Sequence, residues 1–276
     1  MAITGNADVG ATIEQVVSTL TTQTLIQESI ALGAVRDFSA LVGPGMDQLD
    51  IPLFNELSVQ DVSEVGAEMT PQTISPVAAS LLLDKHKAVP FSITSSARIE
   101  SKLALVEEAV FNGGRSLAAN IDDLIFGEVV SAAKTTETVA GTDALEEILR
   151  MKEQFDLDNV PRSMRYLVAS PVWCRRLLGT NNIIRADEYG SSDAIQNGLV
   201  TKIYGFNILE SSSSALPADG FVGMHMEGIA FARQRAVTFE QERRVLAQKD
   251  DYVLVHKFGL KSTAVMNPRL YVFDPA

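Results

Sequence analysis

The chain has 276 residues, 46% of them hydrophobic and 21% charged. That balance excludes disorder and fibrous repeats, and the length allows one large domain or two small ones with a real core. Lys and Arg total 23 against 35 Asp and Glu, a net charge of −12, which repels phosphate backbones and argues against a general nucleic-acid binder.

Residues 1–40 are polar and Thr-rich, with no periodicity up to Val9. Ile13, Val16, Val17, Leu20, Leu25, Ile26 and Ile30 then recur at helical spacing, so part of this segment is expected to be an amphipathic helix. Gly43-Pro44-Gly45 breaks it. Residues 51–94 read as extended, because Pro52, Pro71 and Pro76 exclude a long helix. From Val77 the odd positions run Val77, Ala79, Leu81, Leu83, Lys85, Lys87, Val89, Phe91, Ile93. This alternation outlasts an ordinary strand of about 5–6 residues. It predicts one long strand of a hairpin arm that leaves its own domain, with a tip between Gly66 and Thr73.

Residues 97–133 switch to steps of three and four: Ile99, Leu103, Val106, Val110, Leu117, Ile121, Leu124. One long helix, or two in line, is expected, bent or loosened at Gly113-Gly114. Lys134 to Thr142 reads as a polar linker. Asp143 with Glu146 is a capping-box pattern for a helix whose buried stripe is Leu145, Ile148, Leu149 and Phe155. Tyr166 to Ala169 reads as a buried strand, and Ser170-Pro171 starts a helix that Gly179 ends. Residues 180–198 read as loop. Leu199–Ile203 and Phe206–Glu210 form a hairpin about Tyr204-Gly205. Ser211 to Ser214, Pro217 and Gly220 read as an exposed loop, and Phe221 to Met226 as a strand. The remaining strands are Ala236–Glu242, Tyr252–Ala264 and Leu270–Phe273, with Gln248 to Asp251 as a polar turn between the first two.

Catalytic constellations are missing from this pattern. The lone cysteine, Cys174, excludes an internal disulfide framework and a multi-cysteine zinc site. Its neighbours Trp173 and Leu177 read as core, so Cys174 is expected to be a packed thiol. His86, His225 and His256 lack metal-ligand spacing. Gly259 to Thr263 imitates the end of a P-loop, but Val255 stands where its first glycine belongs, and Lys261 follows Leu260. There is no G-x-S-x-G elbow. Asp122-Asp123 and Asp250-Asp251 read as solvated faces or turns. No catalytic, cofactor or metal residue is assigned. The N-terminal residues have neither the basic nor the apolar region of a signal peptide. The longest uncharged run, Met69–Leu83, is too short and polar to span a bilayer. An acidic, soluble, intracellular protein is expected.

Charge is distributed unevenly. Asp37 to Asp84 holds eight acids and no Lys or Arg, whereas Arg233 to Arg269 holds eight bases and four acids. Placed on an extended arm and a strand-rich tail, the two blocks read as complementary inter-subunit surfaces. The residues expected there are Asp61, Glu64, Glu68, Arg243, Arg244 and Lys249.

The order of these elements resembles the major capsid protein of tailed bacteriophages, the Hong Kong 97-type fold. Glu64-Val65-Gly66-Ala67-Glu68-Met69, followed by Leu81-Leu82-Leu83 and Val89-Pro90-Phe91-Ser92-Ile93, resembles that family's extended loop running into its spine helix. Tyr166 to Pro171 with Leu177-Leu178, then Gly198-Leu199-Val200 to Ile208, resembles its axial domain. Glu242-Arg243-Arg244 to Asp251 resembles its peripheral loop. The resemblance covers nearly the whole chain. It implies an α+β fold in five parts: an N-terminal arm (1–48), an extended β-hairpin loop (49–94), a spine helix of the peripheral domain (95–136), an axial domain (137–232) and return strands of the peripheral domain (233–276).

The resemblance further implies a subunit without a cofactor that assembles with itself, as pentamers and hexamers, into an icosahedral shell. The shell would enclose double-stranded DNA without reading its sequence. Portal, scaffolding and cement proteins would be partners, no membrane would be involved, and the location would be the virion, assembled in the bacterial cytoplasm. Residues 51–84 contain no lysine, so cross-linking through a lysine of that loop is not expected. No scaffolding run precedes the arm, which implies a mature chain or a separate scaffold protein. The alternatives are a bacterial nanocompartment shell of the same fold and an oligomeric soluble enzyme.

Overall fold

A computed structural model describes residues 17, 19, 21, 22, 25, 29–54, 59–60, 71–73, 76–100, 105–141, 143–179 and 202–275. Two sheets and a long helix organise the chain. The four-stranded sheet has the order β1-β10-β11-β4: β1 (Arg36–Asp37), β10 (Ala230–Arg244), β11 (Lys249–Lys261) and β4 (Lys85–Thr94). The six-stranded sheet runs β5-β12-β9-β6-β8-β7: β5 (Thr135–Glu137), β12 (Leu270–Phe273), β9 (Phe221–His225), β6 (Arg165–Ala169), β8 (Phe206–Glu210) and β7 (Lys202–Ile203). A separate two-stranded ribbon joins β2 (Gln48–Phe54) to β3 (Pro76–Leu82). The helices are α1 (Ser95–Glu100), α2 (Leu105–Ala132), α3 (Ala144–Leu157) and α4 (Pro171–Leu178).

Helix α2 positions the rest. Its 28 residues span about 42 Å. Its buried stripe, Val110, Leu117, Ala118, Ile121, Ile125, Phe126 and Val129, packs on the inner side of the four-stranded sheet and on one face of the six-stranded one. Period-2 strands sort their side chains accordingly. Val222, Met224, Leu270 and Val272 face the α2 core, while Phe221, Tyr271 and Phe273 face a second core under α3 and α4. On the four-stranded sheet the inward row carries a cross-strand aromatic ladder, Phe91–Tyr252 at 5.1 Å and Tyr252–Phe239 at 5.5 Å.

Several expectations hold. Val17, Thr19, Thr21, Thr22 and Leu25 are helical. Asp143 caps α3 by accepting from the Glu146 N–H, and Ser170 caps α4 from the Trp173 N–H, with Pro171 at the first helical position. The β7–β8 hairpin turns at Tyr204 and Gly205, both with positive φ (49° and 92°).

Others are corrected. The single long strand after Val77 is two strands: the chain leaves the ribbon at Leu83-Asp84 and enters the four-stranded sheet as β4. The alternation survives the break because the odd residues keep facing inward. Helix α2 runs through Gly113-Gly114 without interruption, and a Cβ on Gly113 would stand 2.5 Å from the Leu254 side chain of β11. The glycine admits the sheet to close approach. The linker after α2 contains β5, which pairs in parallel with β12. Leu149 is 43% exposed, and Glu147 and Met151 take its place in the buried face of α3. The turn between β10 and β11 is Val245–Gln248, closed by a Gln248 N–H bond to the Val245 carbonyl; Lys249, Asp250 and Asp251 belong to β11. The serine-rich loop at 211–220 is only partly exposed, since Ser211, Leu216 and Gly220 are buried. Residues 180–198 and the expected arm tip at 66–70 lie outside the described residues.

Candidate functional site: arm root and hairpin tip

The chemistry-bearing residues do not converge. Cys174 is buried, and burial pushes its thiol up to about 11, with Glu210 adding to the effect. It is a packed thiol, as expected. His86 is exposed on β4. His225 is buried, its Nδ1 accepts from the Glu227 N–H, and burial pulls its pKa down. Glu227 is occupied by Arg36 at 3.0 Å and Arg269 at 3.5 Å. Among the described residues no three His, Cys, Asp or Glu side chains stand together as a metal site. No described helix is long and apolar enough to cross a membrane.

His256 lies in the inward row of β11, only 1% exposed, with neither ring nitrogen hydrogen-bonded within the described residues. It stacks on Phe258 at 4.9 Å. Burial, aided by Arg233, pulls its pKa down to about 4. A base depressed on folding binds its proton only when unfolded between about pH 6.5 and 4, so stability falls as pH drops through that window. We expect the wild type to lose about 2 kcal/mol more than His256→Leu between pH 7 and pH 5 in urea unfolding. Equal losses would mean that the ring protonates freely in the folded chain.

The ribbon is anchored by a small apolar cluster at its root. Leu49, Ile51, Leu81 and Leu83 pack with Ala230, Ala232 and Met266. The Leu83 N–H bonds the Asp47 carbonyl at 2.9 Å, and Gln234 Nε2 donates to the Met46 carbonyl at 2.7 Å. Gly259 of β11 lies so close to the Leu82 carbonyl that any Cβ there would collide with it. Charge reinforces the root: Lys257 pairs with Asp47 at 3.1 Å, holding that carboxyl below its ordinary range, and Arg233 pairs with Asp37 at 3.3 Å. The acidic block and the basic block therefore meet within one chain at the arm's base.

At the far end of β10–β11 stand Arg243, Arg244 and Lys249. Each already faces an acid of the same hairpin: Arg243–Asp250 at 2.9 Å, Arg244–Asp251 at 2.7 Å and Lys249–Asp251 at 3.1 Å. Asp250 and Asp251, read as solvated, are strand residues in these pairs, and Asp250 is buried. The turn beyond them carries exposed apolar residues, Val245 at 71% and Leu246 fully open. The carbonyl of Gln248 in this turn accepts from the Ser95 N–H at 2.8 Å, tying the tip to the start of α1. Asp61, Glu64 and Glu68 lie outside the described residues.

Besides Asp250, sequence reasoning missed two buried carboxylates on helices, Asp122 on α2 and Glu147 on α3. Both were detectable by helical phase. Asp122 falls among Ala118, Ile121, Ile125 and Val129, and Glu147 beside Ala144, Ile148 and Met151.

No protein-family model matches this chain, and no curated protein matches it. Solved structures do. One from Mycobacterium phage Che8 is 22% identical over 90% of this chain and 91% of that one, with a TM-score of 0.75. The capsid structure of the cyanophage P-SCSP1u is 16% identical over 90% and 88%, with a TM-score of 0.74. A virus-like particle from Pyrococcus furiosus is 8% identical over 95% and 99%, with a TM-score of 0.64. With likeness over nine-tenths of the chain, the chain has the Hong Kong 97-type capsid fold.

Proposed function

We propose that the chain is a structural subunit, not an enzyme, that assembles with copies of itself into the icosahedral shell of a tailed bacteriophage. The observation that carries this reading is the arm. Strands β2 and β3 pair only with each other among the described residues. The buried side chains described on them, Leu49, Ile51 and Leu81, all belong to the root. A lone ribbon is marginal in water, so the residues beyond the root gain most from a neighbouring subunit. In this reading 1–48 is the N-terminal arm, 49–94 the extended loop, 95–136 the spine, 137–232 the axial domain and 233–276 the return strands. Pentamers and hexamers close the shell around DNA, with portal, scaffolding and cement proteins as further partners, in a virion built in the host cytoplasm. The excess of 35 acids over 23 bases suits a container that must not adhere to its cargo.

Negative-stain electron microscopy with sizing chromatography tests the reading. Closed particles or capsomer rings are expected. A chain that stays monomeric or dimeric at several salt concentrations, with scaffold supplied, would overturn it. The proposed interface set (Asp61, Glu64, Glu68, Arg243, Arg244, Lys249) has its own arm of the experiment. Arg243→Glu with Arg244→Glu should lower particle yield most at low salt, and unchanged yield would leave these arginines a role inside their hairpin alone. The second reading is a nanocompartment shell of the same fold. The cargo of native particles, DNA or protein, discriminates the two.

A further inference from the structure

Asp122 sits on the buried side of α2, 6% exposed, and its carboxylate bonds to three donors outside its own helix. Its Oδ1 accepts from Ser29 Oγ at 2.5 Å and from the Ala31 N–H at 3.1 Å, and its Oδ2 accepts from the Ile30 N–H at 3.0 Å. Those three donors open a 3-10 turn at Ala31–Gly33, whose own N-cap residue, Ile30, makes no side-chain cap bond. Ser29 Oγ additionally accepts from the Leu32 N–H at 3.3 Å. The cap is therefore supplied from more than ninety residues away, at the point where the N-terminal segment meets the long helix.

Directly beside this contact is a cavity of about 660 Å³, lined by Ile30, Arg115, Asp122, Asp123, Glu210 and the serines at 211–214. The charged groups facing it are Arg115, Asp122 and Asp123 from α2 and Glu210 from the end of β8; Ser29–Gly33 and Pro171 bring none. Asp123 accepts from Ser213 Oγ, which pins the serine loop to the same helix turn.

We infer that Asp122 is a latch: one carboxylate that holds residues 29–31 against α2 and whose loss frees the N-terminal segment while α2 and both sheets stay folded. The reasoning is one of balance. Ala31, Ala34 and Val35 join the apolar core on α2, and the three charge-assisted hydrogen bonds fix where the turn sits on it. Against them stands the cost of taking a carboxylate out of water. Burial is the largest influence on this group and pushes its pKa up; the three donors pull it down and the neighbouring Asp123 charge pushes it up. The inference stands whether or not the chain forms shells.

Hydrogen exchange on the full-length chain tests it, comparing the Ile30 and Ala31 amides with the Ile125 amide in the middle of α2. In Asp122→Ala the first two should exchange at least ten times faster while Ile125 is unchanged. In Asp122→Asn, which keeps the shape and loses the charge, the two amides should also exchange faster, by less than in Asp122→Ala. Ser29→Ala should give a partial loss. Unchanged exchange at Ile30 and Ala31 in Asp122→Ala would overturn the latch. So would a rise shared equally by Ile125, which would make Asp122 an ordinary stabilising residue.

Discussion

Deleting Leu57 to Thr73 is expected to abolish closed particles and to leave the two sheets and α2 folded. The ribbon register runs from Gln48↔Leu82 to Phe54↔Pro76, and the deletion lies wholly beyond it. Asn55, Glu56, Ile74 and Ser75 then form a four-residue connection, a common hairpin length. The root survives, because Leu49, Ile51, Leu81 and Leu83 and the Asp47–Lys257 pair are untouched. Circular dichroism and a melting temperature within about 2–3 °C of wild type, a change of no more than about 1 kcal/mol, would establish that the rest folds. Electron microscopy then reads assembly. Closed shells at wild-type yield would show that the arm is dispensable and would remove the main support for the proposed function.

The second large effect is on stability. Glu147 is 1% exposed and serves three donors: Trp173 Nε1 and Arg176 Nη2, both at 2.6 Å, and the Gly141 N–H at 3.1 Å. Arg176 is shared with Asp219 at 3.2 Å. The cluster ties α3, α4 and the strand-to-helix connection to one point. Glu147→Ala leaves the indole N–H and the Gly141 N–H without this acceptor and Arg176 with Asp219 as its remaining carboxylate, which costs about 2–4 kcal/mol. For a chain of this size that is a fall in melting temperature of about 10 °C. Trp173 is the sole tryptophan, so its emission reports the site directly. A melting temperature unchanged in Glu147→Ala would mean that water replaces the carboxylate at no cost.

The parts of the fold that rest on periodicity were readable from residues alone. The inward odd positions from Leu81 to Ile93, the stripe of α2, and the caps Asp143 and Ser170 are local signals that tertiary structure reinforced. The misreadings have a common cause, which is that polarity was taken for exposure. Lys249 to Asp251 look like a turn because they are charged, but cross-strand ion pairs let them continue β11, while apolar Val245 and Leu246 take the bend. Thr135 to Glu137 look like a linker because only a parallel partner 136 positions away makes them a strand. Gly113 looked like a weak point in a helix, and only the neighbouring sheet shows what its missing side chain is for. The candidate site divided in the same way. Arg243, Arg244 and Lys249 are strand residues rather than the strand end and turn that the sequence suggests, and the pairing of Arg243 and Arg244 inside their own hairpin is a register property that composition does not carry.

The sheet connectivity also constrains how the chain can be made. β1 at Arg36–Asp37 finds its partner in β10 at Ala230–Phe231, and β5 finds its partner in β12 at Tyr271–Phe273. Neither sheet can be finished until nearly all of the polypeptide has left the ribosome. At about 5–20 residues per second, the ribbon waits on the order of ten seconds or more between its own synthesis and that of its anchors Ala230, Ala232 and Met266. During that interval its leucines and isoleucine are open to any other nascent chain. Asp50, Pro52 and Pro76 within the ribbon strands are the kind of gatekeepers that discourage premature edge pairing. Such long-range topology is slow to fold, and the ribbon's acidic, proline-interrupted sequence keeps it soluble until the anchors arrive.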